Sequence, residues 1–195
     1  MTQPIPEVPP FPELLTAAEF SAGTRGKIAA DDPRLPLLLA GATAGVRRYC
    51  RWHIAPVVEQ TFRLDGPGGT VLALPTMHLV EVLSLTERGT ALVEDTDFEW
   101  SEVGSVARLG RARWTERYRA IIATIRHGYE TADDVRQIIQ QVVANALASP
   151  LGATTESAGG VAVTWAQTAP GVAGGMSLLE RDLAVLNTYR LGPEA

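Results

Sequence analysis

The residue types able to do covalent or metal chemistry gather once in this chain. Cys50, the only cysteine, stands three positions before His53, one of three histidines, in the stretch Tyr49-Cys-Arg-Trp-His-Ile-Ala-Pro56. On a helix, side chains at i and i+3 meet, so His53 in that geometry would draw the proton from the thiol and leave a nucleophilic thiolate. The sequence offers neither a glycine-rich oxyanion loop nor a carboxylate to orient the imidazole, and Tyr49 and Trp52 read as packing residues. Free cysteines are among the most buried residues, so the stretch reads as a helix end tucked against a sheet. The competing reading, a small cysteine-dependent enzyme, requires a thiol that solvent reagents reach.

Other motifs fall short of their chemistry. Structural zinc wants four ligands in paired short spacings, and His78 and His127 stand alone in the sequence. Gly26-Lys27 lacks the first glycine of a phosphate loop, since position 21 is serine, and Ile28 stands where a magnesium-holding hydroxyl belongs. Asp95-Thr-Asp97-Phe-Glu99 alternates carboxylates like a calcium loop, but Trp100 occupies the glycine position. Gly175-Met-Ser177 is not a nucleophile elbow, and Ser177 serves better as a helix cap. No catalytic residue, metal or cofactor is expected.

The elements that would position these residues fall into three stretches. Residues 1–31 form a proline-rich arm with a short helix, which Thr16-Ala-Ala-Glu19 should start as a capping box. Residues 32–150 form the core. A helix is expected from Asp32-Pro33, burying Leu35, Leu38, Leu39, Ala42, Val46 and Tyr49 and stopping before Pro56. Short apolar runs then alternate with turns: Phe62 and Leu64, the turn Asp65 to Gly69, and Val71 to Leu74 read as a hairpin. Leu79 to Thr86, Phe98 to Trp100, Val106 to Leu109 and Tyr118 to Ile125 complete a small antiparallel sheet. Thr131 is expected to cap a helix carrying Val135, Ile138, Ile139, Val142, Val143, Ala146 and Leu147 on one face, ended by Pro150 and Gly152. Residues 151–195 form a glycine-rich arm with one alternating run, Val161, Val163 and Trp165, and a helix capped by Ser177 with Glu180. The class is α+β: a helical bundle with a small antiparallel sheet insertion and extended terminal arms.

Composition narrows the function. The 195 residues carry 13 prolines, 18 glycines, 46% hydrophobic residues and a net charge of −5. That balance excludes a protein whose task is gripping nucleic-acid phosphates. Lys27 is the only lysine, so positive charge is arginine, in keeping with a GC-rich genome. No apolar run reaches membrane-spanning length, and the proline-rich start lacks the parts of a signal peptide, so a soluble protein made in the cytoplasm is expected. Acidic residues gather at Glu87, Glu94, Asp95, Asp97, Glu99 and Glu102, and Arg108, Arg111, Arg113, Arg117, Arg119 and Arg126 follow. Solvated faces account for such runs. The alternative is that Glu94, Asp95, Asp97 and Glu99 of one copy meet Arg108, Arg111, Arg113 and Arg117 of the next in a head-to-tail ring.

The order of YCRWHIAP, LDGPGG, LALPTMHLVEVLSLTERGTAL, FEWSEVGSVARL, RAIIATIRHGYE, DDVRQIIQQVVANALASP, TTESAGGVAVTW and LLERDLAVLNTYRL resembles head-to-tail adaptor proteins of long-tailed bacteriophages, especially those of actinobacterial hosts. The resemblance runs from about Asp32 to Leu191, and the proline-rich N-terminus departs from it. It implies a non-enzymatic virion protein, assembled in the host cytoplasm. Its partners would be copies of itself, in a ring of twelve, the portal ring above, and a stopper or tail-completion protein below. DNA would pass through without specific binding. The resemblance also makes the final helix and Asn187 to Leu191 candidates for portal docking, with Leu186, Tyr189, Arg190 and Leu191 as contacts. Truncation after Gly175 would then abolish docking and leave the body folded. A stopper or tail-completion role is the alternative, and the acidic stretch Glu94 to Glu102 is the candidate lining of the channel.

Overall fold

The computed structural model describes residues 11–148, 155–158, 161–164 and 178–192. Its helices follow the apolar periodicities, with corrections at their starts. Helix α1 (Ala17–Gly23) opens on the expected capping box: the Glu19 N–H donates to Thr16 Oγ1 at 3.3 Å and the Thr16 N–H to Glu19 Oε2 at 2.9 Å. Helix α2 (Leu35–Cys50) starts later than Asp32-Pro33, with its cap position on Arg34 and Pro36 in the first turn. The Asp32 carboxylate takes the Arg34 N–H at 2.9 Å and the Arg34 guanidinium at 2.7 Å instead of capping the helix. Those bonds hold its carboxyl down at about 2. Helix α3 (Asp133–Ala148) likewise begins one position past Thr131's claim, because the Ala132 carbonyl accepts the first helical bond, from Arg136.

These helices enclose one core. Leu35, Leu39, Ala42 and Val46 of α2 face Val135, Ile139, Val142 and Val143 of α3, with Phe20 of α1 beside them. A fourth helix, α4 (Glu180–Asn187), closes it with Leu186, and Leu191 follows it into the same core. Each of the valine, leucine, isoleucine and phenylalanine side chains contributes about 2 kcal/mol on burial. The cap of α4 falls on Leu179, whose N–H donates to Asp182 Oδ2 at 3.0 Å, and not on Ser177, which lies outside the described residues.

The strands form a second core. In chain order they are β1 (Val58–Leu64), β2 (Val71–Ala73), β3 (Leu79–Glu87), β4 (Thr90–Ala91), β5 (Phe98–Ser101), β6 (Ser105–Arg108), β7 (Ile121–His127), β8 (Thr155–Ala158) and β9 (Val161–Thr164). One antiparallel sheet runs β1-β7-β3-β4 and a second runs β2-β6-β5. Ile121, Ala123 and Ile125 of the first pack on Leu72, Val106 and Phe98 of the second, around Trp114. A third sheet pairs β8 with β9, a hairpin of which the alternation at Val161 showed only half. Trp165, Pro150 and Gly152 lie outside the described residues.

The hairpin expected across Asp65 to Gly69 does not form. Strand β1 pairs with β7 and β2 with β6, so the glycine stretch carries the chain from one sheet to the other. Its backbone bonds go to residues distant in sequence: Gly66 N–H to the Arg117 carbonyl at 3.0 Å and Gly68 N–H to the Thr115 carbonyl at 3.1 Å. A Cβ on Gly66 would sit 1.9 Å from the Thr115 oxygen. The glycines are there for close backbone approach, a use of glycine that local turn rules confuse with a hairpin. Gly66→Ala is therefore expected to destabilise the chain by roughly 2–4 kcal/mol, read from urea unfolding. An effect within about 0.5 kcal/mol would show that the crossing is loose.

Candidate functional site

Helix α2 ends at Cys50, which settles the geometry of the Cys50–His53 pair. Arg51 turns left-handed (φ 70°) while its N–H closes on the Arg47 carbonyl at 2.7 Å. With the helix broken between them, the two residues do not share a face. Cys50 is fully buried against α4, not against the sheet, and its S–H donates to the Leu186 carbonyl at 3.5 Å. Burial pushes the thiol up to about 11, the opposite of what a nucleophile needs.

His53 and Trp52 are the residues that reach the sheet. His53 meets His127 of β7 with ring centroids 4.4 Å apart, so His127 is not isolated as its place in the sequence implied. His53 Nε2 lies 2.8 Å from the Pro56 carbonyl and His127 Nε2 lies 3.1 Å from Gln60 Oε1. Both Nδ1 atoms are buried with no partner among the described residues. Gly128 (φ 113°) permits this approach, since a Cβ there would stand 2.5 Å from His53 Nε2. Burial lowers both imidazoles, His127 to about 3; the Arg47 guanidinium adds to the cost of a charge on His53, against the Pro56 and His127 backbone bonds that favour it, and the His53 ring adds to the cost of a charge on His127. The pair is neutral at pH 7. A cleft of about 440 Å³ opens beside it, lined by Phe11, Trp52 and Phe62 with Arg48 and Arg51. Among the described residues no three of His, Cys, Asp and Glu gather as a metal site.

The docking candidates separate into inner and outer groups. Leu186 and Leu191 are buried in the chain's own helical core. The Leu191 N–H donates to the Cys50 carbonyl at 3.0 Å, Trp52 Nε1 to the Tyr189 carbonyl at 2.6 Å, and Tyr49 OH to Asn187 Oδ1 at 2.6 Å. The final segment thus completes the body, so truncation after Gly175 would open the core and not leave it folded. Tyr189 is half-buried with its hydroxyl on Asp134, at 2.9 Å, while Arg190 is exposed and lies over the Tyr49 ring.

The charged candidates separate in the same way. Glu94 accepts from Trp100 Nε1 at 2.6 Å and Asp97 from the Val93 N–H at 2.9 Å. Arg108 lies between the two sheets near Glu87, and Arg113 donates to the Gly68 carbonyl. Asp95, Glu99, Arg111 and Arg117 are exposed.

No family model matches the sequence, and no curated protein does. Solved structures do. A chain in the "Neck of empty GTA particle computed with C6 symmetry" covers 93% of this chain and 94% of its own length at a TM-score of 0.56 and 16% identity. One in the "Neck of native GTA particle computed with C12 symmetry" covers 93% of each at 0.55 and 15%. GTA here denotes gene transfer agent. Over nearly its whole length the chain has the fold of these neck chains. That fold was expected from the adaptor resemblance, and no described helix is long and apolar enough to cross a membrane.

Two outcomes follow from the buried groups. In the native protein a thiol reagent should label Cys50 only through opening of the α2–α4 contact, at least a hundredfold more slowly than in urea. Fast native labelling would contradict the packing. For the histidines, the unfolded chain binds more protons between the folded pKa values and about 6.5, so stability is full above that pH and falls as pH drops below it. Urea unfolding at pH 7.5 and 5.5 should show a loss that shrinks in His127→Gln; an equal loss would exclude His127 as its source.

Proposed function

We propose that this chain is a head-to-tail adaptor: a structural protein of a phage-like particle, forming a ring in the neck that extends the DNA channel. The observation that carries the reading is the fold shared with two neck chains, over 93% of this chain and as much of theirs. The symmetries in their names, sixfold and twelvefold, support a homo-oligomeric ring, with twelve copies as the proposed number.

In this reading the portal lies above the ring and a stopper or tail-completion protein below. Arg190 and the open edge of Tyr189 are the proposed portal contacts, since Leu186 and Leu191 would have to leave their own core to serve. Asp95 and Glu99 of one copy meet Arg111 and Arg117 of the next, because these exposed charges are free to pair across a head-to-tail contact. The net charge of −5 supports passage of DNA, for a channel that held phosphates tightly would trap the duplex. The acidic stretch Glu94 to Glu102 is the proposed lining. Location in the virion, after synthesis in the host cytoplasm, belongs to the same proposal. A stopper or tail-completion protein is the second reading, since both neighbours are described by the neck as a whole. A cysteine enzyme is not supported, because the thiol faces a backbone carbonyl in the core.

Electron microscopy of the purified protein mixed with portal rings of the same particle tests the proposal, each component alone being the control. A new ring stacked on the portal is expected. Bare portals, with binding to tail components, would place the chain lower in the neck. Arg111→Glu with Arg117→Glu should abolish the stacked ring and leave the thermal midpoint of the isolated chain within about 2 °C. Rings that persist would remove these arginines from the contact.

A further inference from the structure

A second cleft, of about 480 Å³, opens between the β3–β4 hairpin and the end of β6. Glu87, Arg88, Thr90, Arg108, Arg113 and Thr115 line it. Three arginines thus line it with a single carboxylate. Arg108 is the most enclosed, with 13% of its side chain exposed, and its guanidinium lies 5.3 Å from the Trp114 ring centroid. Its Nη2 stands 3.8 Å from Glu87 Oε2, beyond hydrogen-bonding reach. Its Nε and Nη1 are buried without an acceptor among the described residues. The other Glu87 oxygen is already engaged by the Thr115 N–H at 2.6 Å.

A desolvated guanidinium with unfilled donors is costly, and the nearest carboxylate cannot fill them. The neighbours add charge and not acceptors. Arg113 is held at the rim by its bond from Nε to the Gly68 carbonyl, at 2.9 Å. Arg88 is held at the mouth by an unfavourable backbone. Its φ of 53° and the 83° of Gly89 make a two-residue turn of the kind that Asn-Gly ordinarily fills, and its N–H is bonded to the Ala120 carbonyl at 2.7 Å. The turn thus sets Arg88 beside the cleft.

We propose that this cleft binds a phosphate group. The excess of two positive charges matches a phosphoryl group, at about −1.5 to −2 near neutral pH, better than a single carboxylate. Guanidinium forks pair with its oxygens, and the two threonine hydroxyls can donate to them. The group is either inorganic phosphate or a phosphate of a DNA backbone, and the site does not depend on the ring reading.

The test uses the full chain. Thermal unfolding is followed in inorganic phosphate and in sodium chloride of equal ionic strength. Phosphate at tenfold excess over its Kd should raise the midpoint by roughly 3–5 °C more than chloride. Arg88→Ala and Arg113→Ala should each remove most of that rise, and Arg63→Ala, exposed and outside the cleft, should keep it. No phosphate-specific rise in the parent protein would overturn the proposal. So would a rise that survives in the double variant Arg88→Ala with Arg113→Ala. A short DNA duplex titrated at low salt distinguishes the sources. Binding that phosphate displaces and Arg88→Ala abolishes assigns the DNA backbone, and phosphate binding without duplex binding assigns the free ion.

Discussion

The backbone carbonyls between Cys50 and Pro56 must find donors, because this irregular stretch is largely buried and water does not reach it freely. Five of them do, most from distant parts of the chain. Cys50 takes the Leu191 N–H after α4, and Ile54 takes the Tyr129 N–H just past β7. His53 and Ala55 take the Arg47 guanidinium, which also reaches the carbonyls of Phe11 and Pro12. Pro56 takes the His53 ring. The helical core, the first sheet, the N-terminal segment and the last helix are therefore joined at one place. Loss of any arriving element leaves a buried carbonyl unpaired, at about 1–3 kcal/mol each.

That constraint explains why the residue types in this stretch mislead. Cysteine, histidine and tryptophan look like chemistry when read along the chain. At a junction they are small, aromatic and polar fillers, each with one donor aimed at a carbonyl. Trp52 Nε1 reaches Tyr189, Cys50 Sγ reaches Leu186, and His53 Nε2 reaches Pro56. Arg47 does most, and nothing in its sequence neighbourhood distinguishes it from Arg48, which is exposed.

What was legible in the sequence was what is periodic or local. The buried faces of α2 and α3 follow from 3.6-residue spacing, and the Thr16–Glu19 box from four adjacent residues. Starts set by competition were not legible: Asp32 bonds Arg34 in preference to capping α2. Strand partners were not either, since the Gly66 to Gly69 stretch serves a crossing as well as a turn. The candidate site suffered most, for the same reason. Glu81 with Arg126 and Glu87 with Arg108 are drawn together by strand register and sheet packing, so a run of charges in the sequence divides into internal pairs and free ones only after folding.

The exposed apolar residues bear on assembly. Leu37 lies in the first turn of α2, while Val93, Val103 and Tyr118 lie in turns and loops of the two-sheet region, all at least 60% exposed. They belong to both halves of the molecule. A twofold dimer would bury a single self-complementary surface, whereas a head-to-tail ring joins two different surfaces of each copy. Apolar side chains left open on separate elements, beside exposed charges of both signs, are what the second arrangement uses. The last helix closes on the chain's own core, so in the proposed ring the contacts fall to the loops and not to exchanged core elements.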